Sequence, residues 1–173
     1  MITLDIFPDL TKAEVFKKIE DFLTEEGFEV EKIDQTRPWG GFFVLNEKQI
    51  QKFKEKFFHE VDLSKEQLQL KLSPKLLLVA PGARLSWQYH FRRAEIWKLI
   101  GGDALISKSQ NDEQGPATKL IMGETVSLAK GERHRLIGSE NWGIVAEIWM
   151  HSDPENPSNE EDIVRLEDDY SRS

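Results

Sequence analysis

The sequence predicts a mainly β protein, a jelly-roll β-barrel with additional helices at its N-terminus. Two observations support this prediction. Between residues 74 and 150 the chain divides into short runs rich in branched and aromatic residues, with glycine-containing turn signals between them. Short strands at near-regular spacing are typical of jelly-roll barrels. Before residue 62, apolar residues instead recur with the period of an α-helix.

Eight short strands are expected in the barrel region. Glycines separate most of them, and Gly101-Gly102 is interpreted as one of these separators. The expected strands are 75–80, 86–91, 95–101, 104–107, 119–121, 124–128, 133–137 and 142–150. Two further strands, 28–35 and 41–45, flank a turn signal near residue 39. The expected barrel unit is 71–173 with its tail, and residues 1–70 are an extension packed on it as part of one structural unit.

Two amphipathic helices are expected in the extension, at 11–27 and 46–61. Thr11 and Glu14 have the spacing of a capping box, and Gly27 suits the position after a helix end. Asn46 is a candidate N-cap for the second helix. Because each helix has an apolar stripe too long to face water, both should pack on the barrel or on a second subunit, as in a homodimer.

Composition narrows the classes of partner and the compartment. A net charge of −8 argues against nucleic acid or an anionic membrane as a partner. The chain has no cysteine, which excludes disulfides and thiolate metal sites. No apolar run is long enough to span a bilayer, and the N-terminus does not resemble a signal peptide. The expected location is therefore the cytoplasm.

Four side chains that can bind a metal ion occur in two glycine-led blocks: Gln88, His90, Glu95 and His134. Residues i and i+2 of a strand face the same side, so Gln88 and His90 should converge inside the barrel. Glu95 should return on the adjacent strand, and His134 should close the site from across the barrel. Two imidazoles, a carboxylate and an amide suit one divalent ion, with zinc expected and iron, manganese, cobalt or nickel also compatible.

A larger set of motifs resembles a known family. It comprises Arg37-Pro-Trp-Gly40, 75–82, Leu85-Ser-Trp-Gln-Tyr-His90, Arg93-Ala-Glu95-Ile-Trp97, His134-Arg-Leu136 and Glu161-Asp-Ile-Val-Arg165, in that order. The set is similar to the isomerase domain of cupin-type (type II) mannose-6-phosphate isomerases. The resemblance implies an RmlC-like cupin jelly roll and a C-terminal tail that folds back beside the pocket. In many bacteria this domain is fused to a mannose-1-phosphate guanylyltransferase, and here it is expected to stand alone.

The chain departs from the family pattern at several positions. Arg92 and Ile96 replace two histidines, Ala129 stands where proline is usual, and 137–139 and 156–159 also differ. The four metal-ligand candidates are unaffected. The replaced polar residues are ones that could contact substrate, so the exact sugar is not fixed by the resemblance.

The resemblance implies a metal-dependent aldose–ketose isomerase acting on a sugar phosphate, with mannose 6-phosphate and fructose 6-phosphate as the best-matching pair. Another metal-dependent cupin enzyme, such as a pentose isomerase or a dioxygenase, is an alternative. A non-catalytic sugar-binding cupin is a second one. Fold alone does not distinguish them, because cupins support many functions.

Isomerisation needs a base near the reacting carbons and an anchor for the phosphate. Lys75, Glu147 or a metal-bound water could be the base, and Lys75 should point inward because it shares a strand face with apolar residues. Arginine suits bidentate phosphate binding. Arg93 is predicted to act in catalysis, and Arg37 and Arg165 are predicted to bind substrate, because all three match family positions.

Overall fold

The computed structural model describes residues 4–170, which form three α-helices, a short 3-10 helix and nine strands. The helices are α1 (Lys12–Glu25), α2 (Ile50–Phe57) and α3 (Lys65–Leu68), and the 3-10 helix is Glu47–Gln49. The strands are β1 (Val30–Asp34), β2 (Gly40–Leu45), β3 (Lys75–Val79), β4 (Trp87–Tyr89), β5 (Arg93–Ser109), β6 (Thr118–Lys119), β7 (Thr125–Leu128), β8 (Arg133–His151) and β9 (Val164–Glu167).

Two long antiparallel strands, β5 and β8, organise the barrel. They pair from Arg93↔His151 to Ser109↔Arg133. On the other side of β8, β3 pairs with its C-terminal half and β4 with its N-terminal half. Strands β6 and β7 pair with β5, while β2 and then β1 continue the sheet from β3. This arrangement is the predicted jelly roll, and it places β1 and β2 in the same sheet as the barrel strands.

The expected break at Gly101-Gly102 is wrong, because these residues form an irregularity within β5. Pairing with β8 shifts register on both sides of them. Gly102 has a φ of +67°, and a Cβ there would lie 1.7 Å from the carbonyl oxygen of Trp142. A glycine can therefore signal a bulge as well as a turn. The strands expected at 133–137 and 142–150 likewise form one strand, β8, with Gly138 inside it.

The capping signals of the first helix are confirmed. The Thr11 hydroxyl accepts from the Glu14 N–H, and the Glu14 carboxylate accepts from the Thr11 N–H. At the other end, Gly27 has a φ of +79°, and the Phe28 N–H donates to the Leu23 carbonyl, which completes a Schellman motif. The second helix is shorter than expected: after the Asn46 cap and the 3-10 turn, α2 ends at residue 57.

Both helices pack on the outer face of the barrel, as predicted. Alternate residues of β3 point to opposite sides, so Leu76 and Leu78 join the helix cluster whereas Leu77 and Val79 join the barrel interior. The helix cluster contains the apolar stripes of α1 and α2: Val15, Phe16, Ile19, Phe22, Leu23, Ile50, Phe53 and Phe57. The extension therefore contributes a second hydrophobic core.

Phe53 is the clearest test of this second core. It is fully buried, and its ring lies 4.9 Å from that of Phe57 and 6.1 Å from that of Phe28, centroid to centroid. We expect Phe53→Ala to lower the free energy of unfolding, measured in urea, by about 3–5 kcal/mol. Phe7 is 52% exposed, so Phe7→Ala should change it by about 0.5 kcal/mol or less. Equal effects of the two variants would contradict the assignment of α2 to a buried core.

The C-terminal segment folds back onto the barrel. Strand β9 pairs with β4, with Gln88 opposite Arg165 and Tyr89 opposite Val164. The tail thus lies beside the strand that leads to His90. Among the described residues, no helix is long and apolar enough to cross a membrane.

Candidate metal centre

Three of the predicted ligands meet inside the barrel. His90, Glu95 and His134 are all buried, and their ligand atoms lie within 4.8 Å of one another. The Nε2 atom of His90 is 3.5 Å from Glu95 Oε2, and that of His134 is 3.4 Å from Glu95 Oε1. His90 follows β4, Glu95 lies on β5 and His134 on β8. His90 and Glu95, which are close in sequence, thus meet His134 from a distant strand in one compact group.

The histidine tautomers leave both inner nitrogens available. His90 Nδ1 lies 2.7 Å from the main-chain carbonyl oxygen of Asp162, and His134 Nδ1 lies 3.0 Å from that of Glu132. Because a carbonyl oxygen only accepts, each Nδ1 carries the proton and each Nε2 presents a lone pair. Both Nε2 atoms are buried, and neither has a hydrogen-bond partner among residues 4–170. Orphaned imidazole nitrogens facing a carboxylate fit a divalent cation, and this is how metal-binding histidines are usually oriented.

Gln88 lies opposite His134 in the pairing of β4 with β8. Its Nε2 donates to the Ser86 hydroxyl, 3.0 Å away, and to the Ser86 carbonyl, 3.3 Å away. The amide nitrogen is thereby occupied, and Oε1 is the atom that Gln88 can offer to an ion. Its role as the fourth ligand stays a prediction.

Glu95 is held in its ionised form. Burial raises the pKa of Glu95, but the positive charge that His90 carries when it is protonated, together with the close approach of the His134 and His90 rings, outweighs burial and holds that pKa well below its ordinary value. Arg93 contributes in the same direction. Its Nε donates to Glu95 Oε2 at 3.0 Å, and its guanidinium stacks over the Trp149 ring at 4.1 Å. Arg93 is thus bonded to the carboxylate of a metal-ligand candidate. Its predicted part in catalysis would be played from this position beside Glu95.

A cavity of about 170 Å³ opens beside the three ligands. Its lining includes every predicted site residue except His90: Arg37, Lys75, Gln88, Arg93, Glu95, His134, Glu147 and Arg165. The aromatic walls are Trp39, Phe42 and Trp97. The volume lies below the range of about 300–1,000 Å³ typical of drug-sized ligands, which favours a small substrate.

Lys75 and Glu147 form a pair on the cavity wall. They are opposite each other where β3 pairs with β8, and Lys75 Nζ lies 3.7 Å from Glu147 Oε2. The other carboxylate oxygen, Oε1, accepts from Trp97 Nε1 at 2.8 Å. Burial and then the negative charge of Glu95 raise the pKa of Glu147 to about 7, although Lys75 acts against them. A carboxyl with this pKa can both accept and release a proton near neutral pH.

Two arginines, Arg37 and Arg165, also line the cavity. Arg37 Nε is 3.0 Å from Asp34 Oδ2, and its guanidinium lies 5.6 Å from the centre of the Phe42 ring. Arg165 is exposed on β9, opposite Gln88. The fold brings the two together from opposite ends of the sequence, as the family resemblance implied.

The departures from the family pattern mostly avoid this cavity. Ile96 faces the helix cluster, because it alternates with Glu95 and Trp97 on β5. Arg92 is not part of the lining and donates to the Pro157 carbonyl. The altered stretch 156–159 does reach the site, since the Ser158 hydroxyl accepts from Arg93 NH1 at 2.8 Å.

Three further residues at the site were not singled out from the sequence. Asp162 and Ser158 contact His90 and Arg93 respectively, and Glu160 lines the cavity. Their only sequence signal is their position in or just before the preserved 161–165 motif. A contact made through a main-chain carbonyl, such as that of Asp162, does not require a particular residue type, so the sequence does not reveal it.

A larger cavity of about 750 Å³ lies between the helices and β5. On its wall, Lys56 pairs with Glu26 at 2.7 Å and Lys98 with Glu60 at 2.9 Å, while Lys52 donates to the Gly27 carbonyl at 2.9 Å. None of the predicted site residues lines it. We therefore place the functional site in the smaller cavity, where buried polar atoms have no partner.

Comparison with protein families gives a match to one of them. Residues 60–168 match the family described as mannose-6-phosphate isomerase C-terminal. The matched segment contains all of the predicted site residues except Arg37. It begins after α2, so most of the helical extension lies outside it.

Curated relatives match over 99 residues, 57% of this chain. The xanthan biosynthesis protein XanB of Xanthomonas campestris pv. campestris is 31% identical there, and the match covers 20% of its length. The mannose-1-phosphate guanylyltransferase of Salmonella montevideo is 33% identical, and the match covers 19% of its length. The chain thus spans about a fifth of the length of the curated relatives it matches.

Solved structures share the fold at low sequence identity. The capsular polysaccharide assembling protein CapF from Staphylococcus aureus superposes with a TM-score of 0.53 at 13% identity, over 95% of this chain and 40% of that chain. Procruciferin, an 11S globulin from Brassica napus, gives a TM-score of 0.52 at 14% identity, over 78% and 29% of the two chains. At such identities the likeness concerns the fold, a cupin jelly roll.

Proposed function

The chain belongs to the family of mannose-6-phosphate isomerase C-terminal domains, and from that premise we propose that it is a metal-dependent aldose–ketose isomerase. Its proposed substrates are sugar phosphates, with mannose 6-phosphate and fructose 6-phosphate as the pair. One observation carries the proposal. The buried group of His90, Glu95 and His134 opens into a small cavity that also holds a proton-transfer candidate, Glu147.

The proposed metal ligands are His90, Glu95, His134 and Gln88. The two orphaned Nε2 atoms and the ionised Glu95 supply donors of the kind that zinc and similar ions accept. A divalent ion held there would polarise the carbonyl oxygen of the sugar. Arg93 keeps one oxygen of Glu95 in place, and this contact positions the carboxylate.

Glu147 is the proposed base. In the aldose-to-ketose direction its carboxylate takes the proton from C2, and the resulting carboxylic acid returns a proton to C1 while a proton moves from O2 to O1. Trp97 holds Oε1, which leaves Oε2, the oxygen facing Lys75, for the exchange. Lys75 stabilises the ionised state of Glu147 in each cycle. A base with a pKa near the working pH is suited to both transfers.

Arg37 and Arg165 are the proposed anchor for the phosphate. Both line the cavity that contains the ligand carboxylate, and guanidinium groups bind phosphate oxygens in pairs. Trp39 and Phe42 also line the cavity and suit the apolar faces of a sugar ring. In this proposal an ion held by His90, Glu95 and His134 would bind the reacting end of the sugar, and the arginines would bind its phosphate.

Replacing Arg165 tests the anchor. We expect Arg165→Ala to weaken the binding of phosphorylated substrate by about 2–3 kcal/mol, because a charged hydrogen-bonding partner is lost. The unphosphorylated sugar should be affected much less, and metal content should not change. Calorimetric titration with fructose 6-phosphate and with fructose measures both effects. Equal losses for the two sugars would make Arg165 a structural residue and remove it from the anchor.

The activity itself is tested by hydrogen exchange in D₂O. Metal-loaded protein is incubated with a panel of aldose phosphates, including hexose and pentose phosphates, and deuterium at C1 and C2 is followed by NMR. Exchange with mannose 6-phosphate and appearance of fructose 6-phosphate are expected. Exchange with a pentose phosphate alone would identify a different isomerase. Binding of sugar phosphate without any exchange would favour a sugar-binding cupin and refute the isomerase proposal.

A further inference from the structure

The C-terminal segment holds the first metal-ligand candidate at two points. The main-chain carbonyl of Asp162 accepts from the His90 ring, with 2.7 Å between Nδ1 and the oxygen. Its carboxylate accepts from the main-chain N–H groups of Phe91 and Arg92, at 2.8 and 2.9 Å. One residue of the tail therefore fixes both the ring of His90 and the backbone that immediately follows it.

The same segment reaches Glu95 through a second chain of contacts. The Ser158 hydroxyl donates to Asp162 Oδ2 at 2.6 Å and accepts from Arg93 NH1 at 2.8 Å. The Asn159 carbonyl accepts from the same nitrogen at 2.9 Å, and Arg93 in turn donates to Glu95. Asp162 and Ser158 are 5% and 6% exposed, so these contacts are shielded from water.

We propose that Asp162 is a positioning residue of the metal centre, acting through His90 directly and through Ser158 and Arg93 on Glu95. This proposal rests on the proposed metal site. A metal-binding histidine that donates its second N–H to a fixed acceptor keeps one tautomer and one ring orientation, and both are needed for tight binding. The acceptor is a main-chain carbonyl, which stays in place only while the Asp162 carboxylate ties its segment to residues 91 and 92.

The proposal extends to the cavity, because the same segment supplies part of its wall. Glu160, Ile163 and Arg165 lie on either side of Asp162 and line the cavity. A segment that is fixed at Asp162 thus sets the position of two of the ligands and of the proposed phosphate anchor together.

Affinity for cobalt ion alone tests the proposal without any assay of activity. Asp162→Asn keeps the main-chain carbonyl but weakens the carboxylate's hold on the N–H groups. We expect it to raise the dissociation constant for Co²⁺ by about 10- to 100-fold, the range seen when partners of metal ligands are lost. Asp153→Asn is the matched control, since Asp153 is exposed in the same loop and its carboxylate accepts from the Glu155 N–H within that loop. That control should bind Co²⁺ as the wild type does.

A second variant, Ser158→Ala, and a second measurement, the visible absorption of bound Co²⁺, distinguish a loss of stability from a loss of ligand positioning. Ser158→Ala retains Asp162 and should weaken Co²⁺ binding less, while changing the visible absorption of the bound ion. Either variant with a lower melting temperature but an unchanged Co²⁺ affinity and spectrum would overturn the proposal. Failure of the wild type itself to bind Co²⁺ would instead refute the metal site on which the proposal rests.

Discussion

His134→Ala is expected to abolish metal retention. Among the described residues, the substitution removes one of two buried imidazoles whose Nε2 has no hydrogen-bond partner, and it leaves His90, Glu95 and Gln88 as an open and weaker set of ligands. Since loss of a partner of a metal ligand already costs about 10- to 100-fold in affinity, loss of the ligand itself should cost more than about 100-fold. Elemental analysis after dialysis against a weak chelator measures it.

The chain provides a matched control in His59. Its side chain is 74% exposed and lies outside the barrel site. His59→Ala should retain metal at the wild-type level. Metal retained by His134→Ala, or lost equally from both variants, would show that the ion is not held by this group.

Glu147→Gln is expected to stop proton transfer while leaving the metal in place. The amide keeps the shape of the side chain but cannot accept the proton from carbon. Loss of a positioned acid–base group lowers rates by about 10²- to 10⁴-fold, and deuterium exchange into the substrate measures it. Burial and the charge of Glu95 raise the pKa of Glu147 to about 7 without an ion, and a cation bound to Glu95 would offset the second cause. The wild-type rate should therefore rise with pH as the carboxylate form accumulates, with its midpoint at or below this value. The variant should lack that rise.

Glu140→Gln is the control for this second substitution. Glu140 is an exposed residue of β8, and the same chemical change there should leave both the rate and its pH profile unaltered. If Glu147→Gln exchanged deuterium into the substrate at the wild-type rate, Glu147 would be excluded as the base. Lys75, the remaining titratable candidate on that wall, would then be examined in the same assay.

The parts of the fold that the sequence predicted have strong local signals. The first helix carries a capping box, a Schellman glycine and an apolar stripe, and each appears in the structure. The inward direction of Lys75 followed from alternation along β3. The ligand candidates followed from strand periodicity and the family motifs. In the first two cases the determining residues are close together in sequence, whereas His134 was linked to the other ligand candidates through the family motifs.

The parts that were missed depend on contacts between distant segments. Gly102 suggested a turn, but the strand continues because the Trp142 backbone approaches where no Cβ fits. Helix α3 has only four residues, too few to show a period. The pairing of Lys75 with Glu147 is set by the register of β3 on β8, which no local pattern encodes. The hold of Asp162 on His90 uses a main-chain carbonyl, which every residue type possesses.

The most direct test of the proposed metal centre is to locate the ion in a crystal of the zinc-loaded protein. Anomalous scattering at the zinc absorption edge gives its position. We predict one strong peak within bonding distance of the Nε2 atoms of His90 and His134 and of the Glu95 carboxylate, with Gln88 Oε1 as the fourth protein ligand. No peak inside the barrel, or a peak bound only by surface carboxylates, would contradict the metal centre and the isomerase proposed from it.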